Sequence, residues 1–144
     1  MDKEKKSFLA EFSRRAVQRI QDKNKKIPKY RTLHIPSMDV DMRFRNLFYD
    51  EIAECMNMED TDDPNRSDKY CIYLAAVEPS LKDVAKEIME SESSLPADQR
   101  TLLEPLDVVG IFDIGEVQEI AMQVMELSGV LNSTKVTVVD QLKN

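Results

Sequence analysis

At 144 residues, with 42% hydrophobic and 33% charged side chains, the chain has the size and composition of one soluble, folded domain. Its 3 glycines argue against Gly-rich phosphate loops, and no apolar run approaches the ~18 residues of a membrane span. The net charge of −7 is unevenly placed: residues 1–45 hold 13 Lys/Arg against 6 Asp/Glu (+7), and residues 46–144 hold 7 against 21 (−14), so a basic N-terminal segment precedes an acidic body.

The first predicted element is a helix over residues 3–23. Phe8, Phe12, Ala16 and Ile20 recur every four residues, Leu9 and Val17 widen that stripe, and Arg14, Arg15, Arg19 and Lys23 are expected to make the opposite face basic. Lys25-Lys26-Ile27-Pro28 breaks it. The period then drops to two. Thr32, Leu33, His34 and Ile35 lead through a Pro36-Ser37-Met38-Asp39 turn into Val40, Met42 and Phe44, which alternate with Asp41, Arg43 and Arg45. That pattern predicts a β-hairpin near residues 30–45. Helical spacing returns from Leu47, with Phe48, Ile52, Cys55 and Met56 on one face.

Residues 57–67, containing Asp60-Thr61-Asp62-Asp63-Pro64-Asn65, read as a surface loop. Asp68 is placed to cap a helix whose run over 70–77 is apolar nearly all round, as befits a central buried element. Glu78-Pro79 ends that run, and Ser80-Leu81-Lys82-Asp83 has the capping-box form that opens another helix, carrying Val84, Ala85, Ile88 and Met89. Ser91-Glu92-Ser93-Ser94-Leu95-Pro96 reads as a flexible link, and a short helix over 105–112 precedes a long one over 114–128. The start of the long helix is strongly coded. Asp113 can cap the amide of Glu116, Glu116 can reach back to the amide of Asp113, and Phe112 can staple onto Val117. Its apolar face is Val117, Ile120, Ala121, Val124 and Leu127, and Gly129 is a left-handed stop.

These elements predict an α+β fold: a mainly α-helical single domain with a small β-hairpin in its N-terminal half. The expected divisions are a basic N-terminal helix over 1–26, a helical body over 27–131 and a C-terminal tail over 132–144. A hairpin this small needs a helix to cover it, either the first helix or the one over 114–128. The tail either adds a strand at 136–139 or waits for a partner to order it.

Four stretches together resemble the phage tail assembly chaperones of the XkdN-like type, found in tailed phages and prophages of Gram-positive bacteria. They are Tyr30-Arg31-Thr32-Leu33-His34-Ile35-Pro36-Ser37 running into Met42-Arg43-Phe44-Arg45; Ile72-Tyr73-Leu74 leading into Glu78-Pro79-Ser80-Leu81-Lys82-Asp83; Pro105-Leu106-Asp107-Val108-Val109 with Ile111-Phe112, Gly115-Glu116 and Met125-Glu126-Leu127-Ser128-Gly129; and the ending Val139-Asp140-Gln141-Leu142-Lys143-Asn144. The likeness covers roughly residues 27–144 and lies in the order of the stretches, since each alone is ordinary capping and packing grammar. The long basic helix ahead of the hairpin and the acidic loop over 60–68 have no counterpart in it.

The resemblance implies a non-catalytic protein of the host bacterial cytoplasm that binds the phage tape measure protein, keeps it soluble and brings tail tube subunits onto it. Such work calls for an apolar groove or an orderable tail, with net charge enough to keep the complex dissolved. Val136, Val138, Val139 and Leu142 are the expected partner-binding residues, the alternative being that they dock on the chain's own sheet edge beside Ile35 or Val40. An exposed hairpin edge also admits a homo-oligomer.

The sharper chemistries are disfavoured. With Asp60 as position one of a calcium loop, Asn65 falls where Gly is required and Cys71 where a bidentate Glu belongs. Zinc would have His34, Cys55 and Cys71 without a C-x-x-C pair. A nucleophilic Cys or Ser would need a base, for which the one His sits in the hairpin next to Pro36 with nothing to pair it with Cys55 or Cys71. With no secretory apolar segment at the start, the two cysteines read as buried, reduced thiols of a cytoplasmic protein. No cofactor is expected. The main rival is nucleic-acid binding or phage regulation through Arg14, Arg15, Arg19, Lys23, Lys25, Lys26, Lys29 and Arg31 with Tyr30 nearby, which the acidic body opposes. Eight methionines suit either an ordinary core or a surface that accepts imperfect partners.

Overall fold

The computed structural model of the chain describes residues 2–58, 63, 65–130, 136, 138 and 139. Helix α1 spans Lys3–Asn24, opened by the Asp2 carboxylate accepting from the Lys5 amide at 2.9 Å. Strands β1 (Tyr30–Ile35) and β2 (Val40–Arg45) form the expected hairpin, with Leu33 opposite Met42 and Ile35 opposite Val40. Asp39 closes the turn at φ 51°, a left-handed position that Asp tolerates better than most side chains. Alternation puts Ile35, Met42 and Phe44 inside and Tyr30, His34 and Arg43 outside, where the Arg43 guanidinium lies 4.0 Å from the centre of the Tyr30 ring.

Helix α2 (Tyr49–Met56) starts two residues later than Leu47 suggests, because Phe48 is its N-cap. Only Cys55 of that face is fully buried, and Met56 points to solvent. Helix α3 (Arg66–Ala75) begins at Asn65 rather than at Asp68, and it buries Cys71, Ile72 and Ala75. The apolar run over 70–77 does not stay helical to its end. Ala76–Glu78 forms strand β3, which pairs antiparallel with β2 across a bulge at Arg43/Phe44 and makes the sheet three-stranded, in the order β1-β2-β3. After the cis Glu78–Pro79 bond, the Ser80 hydroxyl accepts from the Asp83 amide at 3.4 Å to open α4 (Leu81–Ser91).

The segment after α4, expected to be a flexible link, is pinned at both ends. Arg100 donates to the carbonyls of Leu95 and Ser93 at 2.8 and 3.2 Å, and Glu92 accepts from the amide and hydroxyl of Thr101 at 2.7 and 2.6 Å. A 3-10 turn (Ala97–Gln99) and a 3-10 helix (Pro105–Ile111) lead to α5 (Ile114–Leu127).

Helix α5 is the cover the hairpin requires. Its Val117, Ile120, Ala121 and Val124 are buried where it meets α3 and the hairpin, and its two ends are tied to distant backbone. At the start, the Glu116 carboxylate accepts from the Asp113 amide at 2.9 Å, as the capping pattern predicts, and also from the Ser37 amide and hydroxyl at 3.0 and 2.6 Å. At the far end, Gly129 adopts φ 80°, its amide donates to the Glu126 carbonyl at 3.1 Å, and the Val130 amide donates to Met125 at 3.0 Å, which is a Schellman stop. The Ser128 hydroxyl there accepts from the Leu47 amide at 2.8 Å. Hairpin turn and hairpin exit are thus both bolted to one helix. The result is a single α+β domain, mainly helical, with a small antiparallel sheet.

Among the described residues no polar or charged side chain is fully buried. The least exposed ion pair is Arg45–Glu51, at 19% and 18% side-chain exposure, in which Arg45 donates to both Glu51 oxygens at 2.8 and 2.7 Å. The Arg45 bond is the main reason the Glu51 carboxyl lies below its ordinary value of 4.5, and the Phe48 amide helps. A folded value below the unfolded one means that the unfolded chain binds more protons in between. The stability from Glu51 is therefore complete above 4.5 and lost as pH falls through the folded value. Glu51→Gln should cost about 1.5–3 kcal/mol at pH 7 in urea denaturation, the value of hydrogen bonds to charged groups. It should also make the acid limb shallower, though not flat, since Asp63, Glu92 and Glu116 are lowered as well. An acid limb as steep in the variant as in the parent would contradict this assignment.

Candidate interaction surface

Helix α1 buries none of its residues. Its stripe stands open to solvent, with Phe8 69%, Leu9 57%, Phe12 59%, Val17 55% and Ile20 58% exposed. Of the two helices expected as the hairpin's cover, α5 takes the place, and the apolar face of α1 has no cover among the described residues. The helix holds its shape through local bonds: Arg15 to Glu11 at 3.0 Å, Gln18 to Asp22 at 2.9 Å and the Asp2 cap. One feature of its charge differs from expectation. At about 100° per residue, Arg15, Arg19 and Lys23, spaced by four, run along an edge of the stripe, and Arg14 is the one that lies on the far side.

The stripe leads into a groove of about 890 Å³ between the end of α1, the start of α2 and the end of α5. Ile20, Ile27, Phe48, Ile52, Gly129 and Val130 are among the residues that line it. Arg19, Lys23, Lys26 and Lys29 line it too, with Asp22 and Asp50. Both carboxylates already face a lysine, Asp22 with Lys25 at 3.8 Å and Asp50 with Lys26 at 3.4 Å, so the charged lining is positive on balance. Sequence reasoning missed this groove. The helical stripe was visible, but the Schellman stop and the Leu47 amide that bring α5 beside it are joined only in three dimensions.

Val136, Val138 and Val139 are 98%, 60% and 60% exposed and belong to no strand. Leu142 lies outside the described residues, as do Asp60 and Asp62 of the acidic loop. Asp63, which is described, accepts from Lys69 at 2.6 Å, and that bond draws its carboxyl down.

The three residues weighed for zinc or nucleophilic chemistry are divided between two places. His34 sits on the exposed face of the sheet with Nδ1 2.8 Å from Asp41. Cys55 and Cys71 are reduced and buried against each other at the contact of α2 with α3, where their mutual hydrogen bond and burial push the Cys71 thiol up. Nearby, the Tyr70 hydroxyl donates to Glu54, which pushes it up to about 12. Among the described residues there is no cluster of three His, Cys, Asp or Glu able to hold a metal ion, and no helix is long and apolar enough to cross a membrane. The chain matches no family model, no curated protein and no solved structure.

If α1 stands apart from the core, replacing its aromatics leaves stability nearly unchanged. The double variant Phe8→Ser/Phe12→Ser should unfold within about 0.5 kcal/mol of the parent. Ile72→Ala, in the centre of the core, should cost about 2–5 kcal/mol. Thermal or urea denaturation checks both, and a comparable loss in the two would show that α1 packs on the body.

Proposed function

We propose that this protein is a non-catalytic tail assembly chaperone. It would act in the host bacterial cytoplasm by covering apolar helix faces of a phage tape measure protein until tail tube subunits take its place. The observation that carries the reading is the uncovered stripe of α1, which runs into the groove lined in part by Lys26 and Lys29. Monomeric proteins rarely leave a contiguous apolar face of this kind without a use for it. The resemblance lends support through residues that meet in the fold. Ser37 of the first resembling stretch bonds Glu116 of the third, and Ser128 of the third holds the backbone just after Arg45. The acidic body, −14 over residues 46–144, suits a protein that must keep an apolar partner dissolved.

In this reading the stripe supplies reversible burial rather than chemistry. Each large side chain that leaves water contributes about 1.5–3 kcal/mol when fully buried. Several together give useful affinity after the costs of association, yet release remains possible when tube subunits compete for the same face. The exposed Val136, Val138 and Val139 would offer further apolar side chains to the partner.

Co-expression with the tape measure gene of the same tail module tests the proposal. The tape measure protein should move from the insoluble to the soluble fraction with this chain present and co-purify with it. Equal solubility with and without the chain would refute the reading.

A further inference from the structure

We propose that the α1 stripe and the groove form one binding track for an amphipathic helix whose apolar face is flanked by Asp and Glu. This deepens the chaperone reading and rests on it for the identity of the partner, but the chemistry of the track stands on the geometry. From Phe8 to Ile20 the stripe rises about 18 Å, and the groove continues it, so a partner helix of about 20 residues has a seat along its length. The apolar side chains on offer stand at the four-residue spacing that meets a helix face rather than an extended peptide.

Charge selects among amphipathic helices. Arg15, Arg19 and Lys23 run beside the stripe, and Lys26 and Lys29 are among the residues that line the groove. The acidic body would repel an acidic partner at long range. At physiological ionic strength, however, charges are screened beyond about 8 Å, so the basic edge decides the sign felt by a helix lying in the track. With Arg15 already paired to Glu11 and Lys26 to Asp50, a basic amphipathic helix would meet like charge chiefly at Arg19, Lys23 and Lys29. A second copy of α1 is in that position, since the helix carries Lys3, Lys5, Lys6, Arg14, Arg15, Arg19 and Lys23 against Glu4, Glu11 and Asp22.

The test uses the full chain and two designed peptides of about 20 residues with identical apolar stripes, one flanked by Glu and the other by Lys. Fluorescence anisotropy should show the Glu peptide binding roughly tenfold tighter or better, a difference that three or four exposed pairs can supply. The preference should vanish in about 1 M salt, where the screening length is about 3 Å. It should also be lost in Arg19→Glu/Lys23→Glu, whereas Phe12→Ser should weaken both peptides. Because α1 buries nothing, these variants keep the fold, and circular dichroism confirms it.

Equal binding of the two peptides at low salt, or a preference that survives charge reversal, overturns the proposal. So does a dimer in light scattering that Phe12→Ser dissolves, which gives the face to a second copy. Salt-dependent binding of a generic DNA duplex without any peptide binding gives it to a nucleic acid and overturns the proposal equally. Peptide discrimination without solubilisation of the tape measure protein would leave the track standing and remove the chaperone reading. Solubilisation without discrimination would do the reverse.

Discussion

Burial of Val117, Ile120, Ala121 and Val124 where α5 meets α3 and the hairpin is the contact on which the rest of this fold depends. It satisfies the inner face of the sheet, gives the central helix a partner, and fixes where the chain must leave the hairpin through the Ser128–Leu47 bond. With that contact made, the core closes around Phe44, Ile72, Ala75, Ala85 and Val109. Nothing inside it calls for α1. The function proposed for the protein follows from this closure. An amphipathic helix that its own domain does not need has an apolar face left to offer elsewhere.

The polar links have a common plan. One carboxylate or hydroxyl at an element's end bonds that element's own backbone and also reaches a group on another element. Glu116 caps α5 and holds the hairpin turn at Ser37; Glu51 bonds the Phe48 amide at the start of α2 and pairs with Arg45 of β2; Ser128 donates to Val124 and accepts from Leu47. Each such group removes an unpaired amide and sets a distance between elements at the same time. The sheet and α5 are therefore held rigidly beside the groove, while α1 keeps only bonds within itself and reaches the body near Lys26 and Asp50.

Much of this could be read from the chain because local rules govern it. The Asp113-to-Glu116 start, the Gly129 stop and the hairpin alternation through Met42 and Phe44 all take the form that residue type and spacing predict. Where the reading failed, tertiary pairing had won over local pattern. The run over 70–77 is apolar enough for a buried helix or a buried strand, and pairing of Phe44 with Ala76 settles its last residues as strand. Met56 carries the right spacing for the buried face of α2, but the helix is too short to bring it under cover. The site was half legible. The stripe of α1 shows in the sequence as a face that wants burial, whereas its lack of a cover and its continuation into the groove depend on α5 taking the hairpin first.

Hydrogen–deuterium exchange of the free, dilute chain tests the central claim, that α1 is a helix outside the cooperative core, most directly. Helices outside the core open without global unfolding, so α1 amides should exchange orders of magnitude faster than those of α3 and α5 and become protected once a helical partner is bound. Protection of α1 equal to that of α3 in the unbound monomer would contradict the account.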